Sequence, residues 1–369
     1  MTSNLMVYLD DEPQTEFAKQ WFAPILLGGT TACAENIRTT MRFVHTPDGD
    51  IPIAVNGGQY DSSWVCSPWG QYFGYAKEEI LRHDNSQLSK VVASIVSLAG
   101  ALAGRWQFNK TILVNAWLLS TAPFPKVRSG TVTSILRLLQ RECPEHAIIF
   151  RGLNYVESGS VLDELESLSI RMPSRQVWLY APDDGLSLKS RDYQKDVRLL
   201  EDGDFEVVKS CDLHASDMPR ILELYNQLYI SKYSSFNPKY TLSWITHLWE
   251  HCLLDLTALR SSEILAVEGS VALNGSITSP IIGYDLAAPK ELGLYRRAAC
   301  IPIIKCHRLG LPLNLSAGVG RFKRLRGGHA HMEYNAVCLG HLPIQRKLPW
   351  QALHASAQLL FMHIRKLGL

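Results

Sequence analysis

Acidic side chains nearly vanish from the last fifth of this 369-residue chain: from Arg296 to Leu369, Glu333 stands alone against twelve Lys or Arg. The net charge of the whole chain is only +2, so the positive field belongs to that stretch. His307, His329, His331, His341, His354 and His363 lie in it too, and the field grows as pH falls through the histidine range. Cysteine pairing is also missing. The eight cysteines form no CxxC and no zinc-type spacing with histidine, which argues for reduced thiols in a cytoplasmic protein. There is no GxGxxG opening a helix, no GxxxxGKS or GxxxxGKT, no GxSxG and no HExxH. Dinucleotide oxidoreductases, P-loop ATPases, serine hydrolases and zincins therefore lack their signatures. The N-terminus, MTSNLMVYLDDEP, is acidic where an export leader is basic and then apolar. The longest apolar run, Val91 to Gly104, covers fourteen residues; it fits a buried helix and is too short for a membrane span, so no membrane partner is expected.

With 46% hydrophobic and 20% charged residues, the chain can form real cores, and its length suits two domains. The first half alternates strand and helix: a helix from Thr15, strands between Arg42 and Tyr60, helices over 77–83 and 87–106, and a strand over 112–119. A helix over 131–143, a strand over 147–153, a short helix over 162–168 and a strand over 176–182 complete it. Residues 183–204 gain charge and lose apolar content, which marks a linker between an N-terminal domain at 1–182 and a C-terminal domain at 205–369. The second half reads as strand, two helices, three strands, a helix over 294–309, a short strand over 312–315, a strand over 332–339 and a final helix over 350–367.

The segment NLSAGVGRFKRLRGGHAHMEY, Asn314 to Tyr334, joins a strand to glycines and then to fixed charge. Ser316, Gly318 and Gly320 leave backbone N–H groups unshielded, and Arg321, Lys323, Arg324 and Arg326 follow. That combination is an anion cradle, suited to a phosphorylated guest. A solvated arginine-rich helix face is the other reading.

IIGYDLAAPKELGLYRRAACIPIIKCHRLGLPLNLSAGVGRFKRLRGG resembles the C-terminal half of the acyl-CoA N-acyltransferase (GNAT) fold, in its tandem, FemX-like branch. Gly318, Phe322, Lys323 and Gly327 match that branch's GxxxFKxxxG ending, while the run of Arg321, Arg324 and Arg326 is denser than the ending requires. The resemblance implies an α/β (α+β) fold of two GNAT-like domains in tandem, with mixed central sheets flanked by helices and a degenerate first copy.

The chemistry asks for a donor held by its phosphates, a neutral amine in line with a carbonyl, and a route for one proton. Asp285, Glu333, Tyr284 and Tyr334 are candidates for proton transfer, with Tyr295 beside them; Ser316, Gly318, Gly320, Arg321, Lys323, Arg324 and Arg326 are candidates for holding the donor. Bland readings stand next to these. Glu333 also fits as an ion-pair partner of Arg324 or Arg326, Asp285 as the cap of a turn, and the aromatics Tyr60, Trp64, Trp69, Tyr72, Phe73 and Tyr75 as either a domain interface or an acceptor wall. His329 and His331 share a strand face without a third ligand, so no metal is expected.

The leading expectation is an N-acyltransferase moving an acyl group from coenzyme A to the amine of a small metabolite by direct attack. An acyl carrier protein or an aminoacyl-tRNA is the alternative carrier, since FemX-like relatives include enzymes that use aminoacyl-tRNA. A non-catalytic RNA-binding or partner-binding module, with Trp350 and Phe361 as stacking aromatics, is the reading from another class.

Overall fold

In the computed structural model, which describes residues 6–83, 86–183 and 185–366, twelve strands form one continuous sheet. They are β1 (Tyr8–Asp10), β2 (Thr40–Thr46), β3 (Gly49–Asn56), β4 (Thr111–Val114), β5 (Ala147–Leu153), β6 (Ile170–Tyr180), β7 (Glu206–Lys209), β8 (Asp255–Arg260), β9 (Ile264–Leu273), β10 (Ser276–Tyr284), β11 (Leu313–Asn314) and β12 (His329–Cys338). The helices are α1 (Glu16–Gly28), α2 (Ala76–His83), α3 (Gln87–Arg105), α4 (Thr131–Glu142), α5 (Tyr155–Glu164), α6 (Leu186–Lys189), α7 (Arg191–Leu200), α8 (Met218–Asn226), α9 (Leu242–Glu250), α10 (Leu294–Leu309), α11 (Gly320–Arg324) and α12 (Ile344–Lys366).

The strand order is β1-β2-β3-β4-β5-β12-β6-β11-β10-β9-β8-β7. It is palindromic: exchanging each of the first six strands with the strand six further on reproduces the same order from the other end. Only β4 with β5 and β10 with β11 run parallel, each joined by a crossover that contains a helix, α4 or α10. The last strand of each half is exchanged. β12 lies beside β5 of the first half, and β6 lies beside β11 of the second, so the sheet centre is a long antiparallel pair of β12 on β6.

Apolar spacing accounts for how helices cover this sheet. In α4, Val132, Ile135, Leu136 and Leu139 recur at the helical period and bury against Ile112, Ile148 and Phe150. On the same side, α10 and α7 cover a second core around Tyr180, Ala298 and Ile303. The other face carries one core shared by both halves, where Trp21 of α1 meets Trp117 and Trp244 of α9 edge-on at 5.8 Å each. Caps set the helix starts: Thr241 accepts from Trp244 N–H at 3.1 Å to open α9, and Gly293 and Gly310, both left-handed, bracket α10.

Three sequence expectations change. The strand expected over 112–119 stops at Val114, because Asn115 and Leu118 turn left-handed and Asn115 donates its amide to Ala122 O. The linker expected over 183–204 is itself structured, holding α6 and α7; Tyr193, Asp196 and Leu200 recur on one buried stripe that the surrounding charges disguise. The helix expected to be buried over 91–104 lies on the outside, with only Ala93, Gly100 and Ala103 of α3 buried.

Gly283 of β10 marks where α8 presses closest to the sheet: a Cβ there would sit 2.6 Å from the Leu224 carbonyl carbon and 2.7 Å from Tyr225 N. Gly283→Ala is expected to cost about 1–3 kcal/mol in urea unfolding, since backbone on both sides must part. A loss below about 0.5 kcal/mol would show that α8 yields freely.

Candidate functional site

β10 and β11 stay paired for two residues only, Ile277 with Leu313 and Thr278 with Asn314. β10 then bulges between Thr278 and Ile281 and runs on to Tyr284. The other strand's continuation turns instead to β6, where Leu315 N–H donates to Trp178 O at 2.9 Å and Ser316 O accepts from Trp178 N–H at 3.1 Å. A parallel sheet that parts in this way leaves backbone of β10 without a β11 partner beyond Thr278, on the strand that leads toward the crossover helix α10.

A hydrogen-bonded chain of side chains closes the fork's inner end. Asn154 caps α5 and donates to Glu157 at 2.7 Å; Asn314 donates to the same Glu157 oxygen at 2.8 Å and accepts from Ser316 N–H at 3.0 Å. Ser316 Oγ accepts from Arg175 at 2.9 Å, and Arg175 Nε donates to Glu333 at 2.9 Å. Arg175 and Glu333 face each other in register across β6 and β12, Glu333 buried and the Arg175 side chain 15% exposed. Arg175 also donates to Ser120 O and Thr121 Oγ1 and lies 5.0 Å from the Trp64 ring. Arg151 lies 5.1 Å from the same ring, and burial followed by the Arg175 charge pushes its pKa down to about 10. Burial pushes the Glu157 carboxyl up despite its hydrogen bonds, and the Glu333 charge adds to that rise.

The expected donor-holding residues split into two groups. Lys323 is buried and turned inward, giving its ammonium protons to Leu315 O at 2.6 Å, Ala317 O at 2.7 Å and Ser316 O at 3.3 Å. Burial first, then Arg175, pushes its pKa down to about 7. Arg326 is buried as well: it pairs with Asp196 at 2.5 Å and lies over the Phe322 ring at 3.4 Å. Ser316 N–H is already given to Asn314, so it is no open anion donor. Gly318, left-handed and exposed, Gly320 packed over Trp178, and the exposed Arg321 and Arg324 remain on the outer rim. Gly327 is left-handed, and a Cβ on it would drive into the backbone of Ser187, which accounts for glycine at that place in the motif.

The expected proton-transfer residues do not converge. Asp285 accepts from Ala287 N–H at 2.8 Å and pairs with Arg220 at 2.8 Å, and these partners, the backbone bond first, hold its pKa low. It caps a turn and is a poor base. Tyr284 accepts from Lys232 at 3.3 Å and stacks toward Tyr295, itself 5.0 Å from Phe322. Tyr334 packs against Tyr155 and lines a cavity of about 750 Å³ with Met332, Arg171 and His354, beside the α4 and α5 core and away from Trp64. Glu333 is an ion-pair residue, with Arg175 rather than Arg324 or Arg326 as its partner. The aromatic run over 60–75 is an interface between the halves: Trp64 Nε1 donates to Asn237, and Asn335 donates to Tyr72 Oη. Trp350 is stacked on Phe108 at 3.9 Å and is no surface platform; the Phe361 side chain lies outside the described residues. Sequence reasoning missed Glu157, whose one local signal was its place three residues after the Asn154 cap.

No family model and no curated protein matches this sequence. Among solved structures, L-PGS from Bacillus licheniformis is similar over 94% of this chain and 98% of its own, with 12% identity and a TM-score of 0.50. A conserved protein of unknown function from Bacteroides thetaiotaomicron is similar over 90% of this chain and all of its own, with 12% identity and a TM-score of 0.51. FemX aligns over 65% of this chain at 9% identity, and its TM-score of 0.48 is too low to add to these. These likenesses show the fold alone: a mixed α/β architecture with one large sheet flanked by helices, the mixed sheet and flanking helices that the resemblance in the sequence implied.

Arg175→Ala leaves Glu333 buried without its cation and is expected to cost about 3–5 kcal/mol of stability. Adding Glu333→Gln should recover part of that loss, and strictly additive costs in denaturant melts would mean that the two do not act as a pair. Lys323 adds a pH signature. An unfolded chain keeps a lysine proton up to 10.5, whereas the folded protein releases this one near 7. Between those values the unfolded state binds more protons, so Lys323 makes stability climb as pH rises through that window. Lys323→Met should flatten the climb, and an unchanged slope would show that the buried amine keeps its proton.

Proposed function

We propose that this chain is an acyl-group transferase built from two tandem copies of a GNAT-like domain, one at 1–182 and one at 205–369, with the reaction at the fork between β10 and β11. The observation that carries this reading is the fork itself, which opens beside the FK segment and ends on the network from Glu157 to Glu333. The acyl carbonyl of the donor would lie along the exposed edge of β10, where backbone N–H groups can polarise it. A neutral amine attacks that carbon and forms the new C–N bond. The bond from the acyl carbon to the carrier's oxygen or sulfur breaks, and the carrier leaves protonated. Glu157, with its raised pKa, is the group suited to take the amine's proton and pass one back. Lys323 shapes the 315–317 segment beneath the acyl group.

Between carriers, an aminoacyl-tRNA is favoured over coenzyme A. Of the four cations in the cradle, Lys323 and Arg326 are spent inside the fold, which leaves Arg321 and Arg324 on an open rim. An open rim suits an extended RNA backbone better than an enclosed pyrophosphate. The resemblance to the FemX-like branch points the same way.

Thermal stabilisation by bulk tRNA, coenzyme A and a set of acyl-CoAs at two salt concentrations separates the carriers. A response to tRNA that fades with salt supports the aminoacyl reading; a salt-insensitive response to an acyl-CoA replaces it with acyl-CoA transfer. Once a donor and acceptor pair is found, Glu157→Gln is expected to lower kcat by about 100-fold or more with KM little changed. Arg321→Ala with Arg324→Ala should raise the donor KM and leave kcat nearly intact. Full turnover in Glu157→Gln would remove Glu157 as the base.

A further inference from the structure

The helix α3 is 19 residues long, about 28 Å, and presents an apolar stripe to the outside. Leu88, Val91, Ile95, Leu98, Leu102 and Trp106 follow one another at three- and four-residue steps, each between 42% and 73% exposed. Its composition is apolar enough for a membrane span, yet one face packs on the body through Ala93, Val96, Gly100 and Ala103. Gly100 packs under Phe73 and accepts Trp69 Nε1–H at 2.8 Å, and Gly104 O accepts Tyr60 Oη–H at 3.0 Å. Half of the helix is therefore fastened and half is bare, which is the geometry of a helix lying in an interface rather than crossing one.

Charge identifies the occupant. The helix has no acid; its cations are Lys90 near one end and Arg105 at the other, both exposed, and among the described residues neither has an ion-pair partner. The sequence has no acid from residue 85 to residue 141. Nearby Glu78 is taken by Ser234 and Ser235, and Glu79 pairs with Arg82. At the Arg105 end the start of α12 comes alongside, with Arg346 donating to Gln107 Oε1 at 3.2 Å and Leu348 exposed beside the cation Lys347. An exposed tryptophan and cations rimming an apolar strip match the headgroup boundary of an anionic bilayer. A second copy fits less well. A two-fold contact through α3 sets Lys90 against Arg105 if the helices run antiparallel, or each against itself if parallel, with no acid on the helix to answer either.

We infer that α3 is an interfacial docking helix that seats this protein on an anionic lipid surface, with the Leu88 to Trp106 stripe in the acyl boundary and Lys90, Arg105 and Lys347 at the headgroups. The segment behind α3, Gly70–Tyr75, reaches the central strands through Gln71 and Tyr72, so docking places the junction of the two halves one layer from the bilayer.

The test is co-sedimentation of the whole chain with vesicles of phosphatidylcholine, with and without phosphatidylglycerol, alongside light scattering of the protein alone. The variant is Ile95→Glu with Leu98→Glu, two exposed positions outside the candidate site, and its melting temperature should match the parent's. The expected result is binding to the phosphatidylglycerol vesicles that weakens with salt and falls about tenfold or more in the variant. Failure to bind, or binding that the variant keeps, overturns the inference. So does a parent dimer that the same variant turns into a monomer, because the stripe then belongs to a second copy.

Discussion

The antiparallel pairing of β12 with β6 is the constraint on which the rest depends. Each strand is contributed by one half of the chain and completes the other half's side of the sheet, so neither half has a closed edge without its counterpart. The register is fixed by Glu333 opposite Arg175, a buried pair whose misalignment by one residue would leave two charges without partners. From that crossing the remaining geometry follows. β11 is drawn toward β6, the fork from β10 opens, and Ser316 is brought under Arg175.

The same crossing explains why the cationic stretch is less of an open field than its composition implies. Acids from earlier in the chain are folded onto it: Asp196 onto Arg296 and Arg326, Asp202 and Asp204 onto Arg297, and Asp255 and Glu268 onto Lys305. Several of these groups are buried, among them Asp196, Arg297, Lys305 and Glu268, so removing one partner would leave the other buried without its counter-charge. Of the four cations in the 321–326 segment, only Arg321 and Arg324 are left outward.

Two kinds of backbone demand are met by glycine or its absence. Gly283 lets α8 sit on β10, and Gly327 turns the chain left-handed against Ser187; both are needed for close approach. Ser316 and Val319, by contrast, hold left-handed angles as ordinary residues, in the segment that Lys323 ties together through three carbonyls. Strain and its restraint thus lie within a few residues of the fork.

Local pattern was enough for much of the fold. The apolar period of α4, the unbroken AIIF of β5 and the glycine-bracketed α10 are read directly, because helix and strand periods and end signals are properties of neighbouring residues. The FK segment was legible from its resemblance to a family ending, and the structure adds that its Gly327 is left-handed. Less visible was α7, whose buried stripe is diluted by charges that pair with partners far along the chain. The order of strands, the exchange of β6 and β12, the partner of Glu333 and the role of Glu157 were decided by the tertiary structure alone. The pairings at the sheet centre, the Glu333–Arg175 pair and the Glu157–Asn314 bond each join residues more than a hundred positions apart, and Glu157 meets Asn314 only because α5 and β11 are brought together by a crossing that no local signal encodes. Whether a charge is a ligand-binding group or an internal brace depends on burial and on partners, and a single sequence specifies neither until the chain has folded.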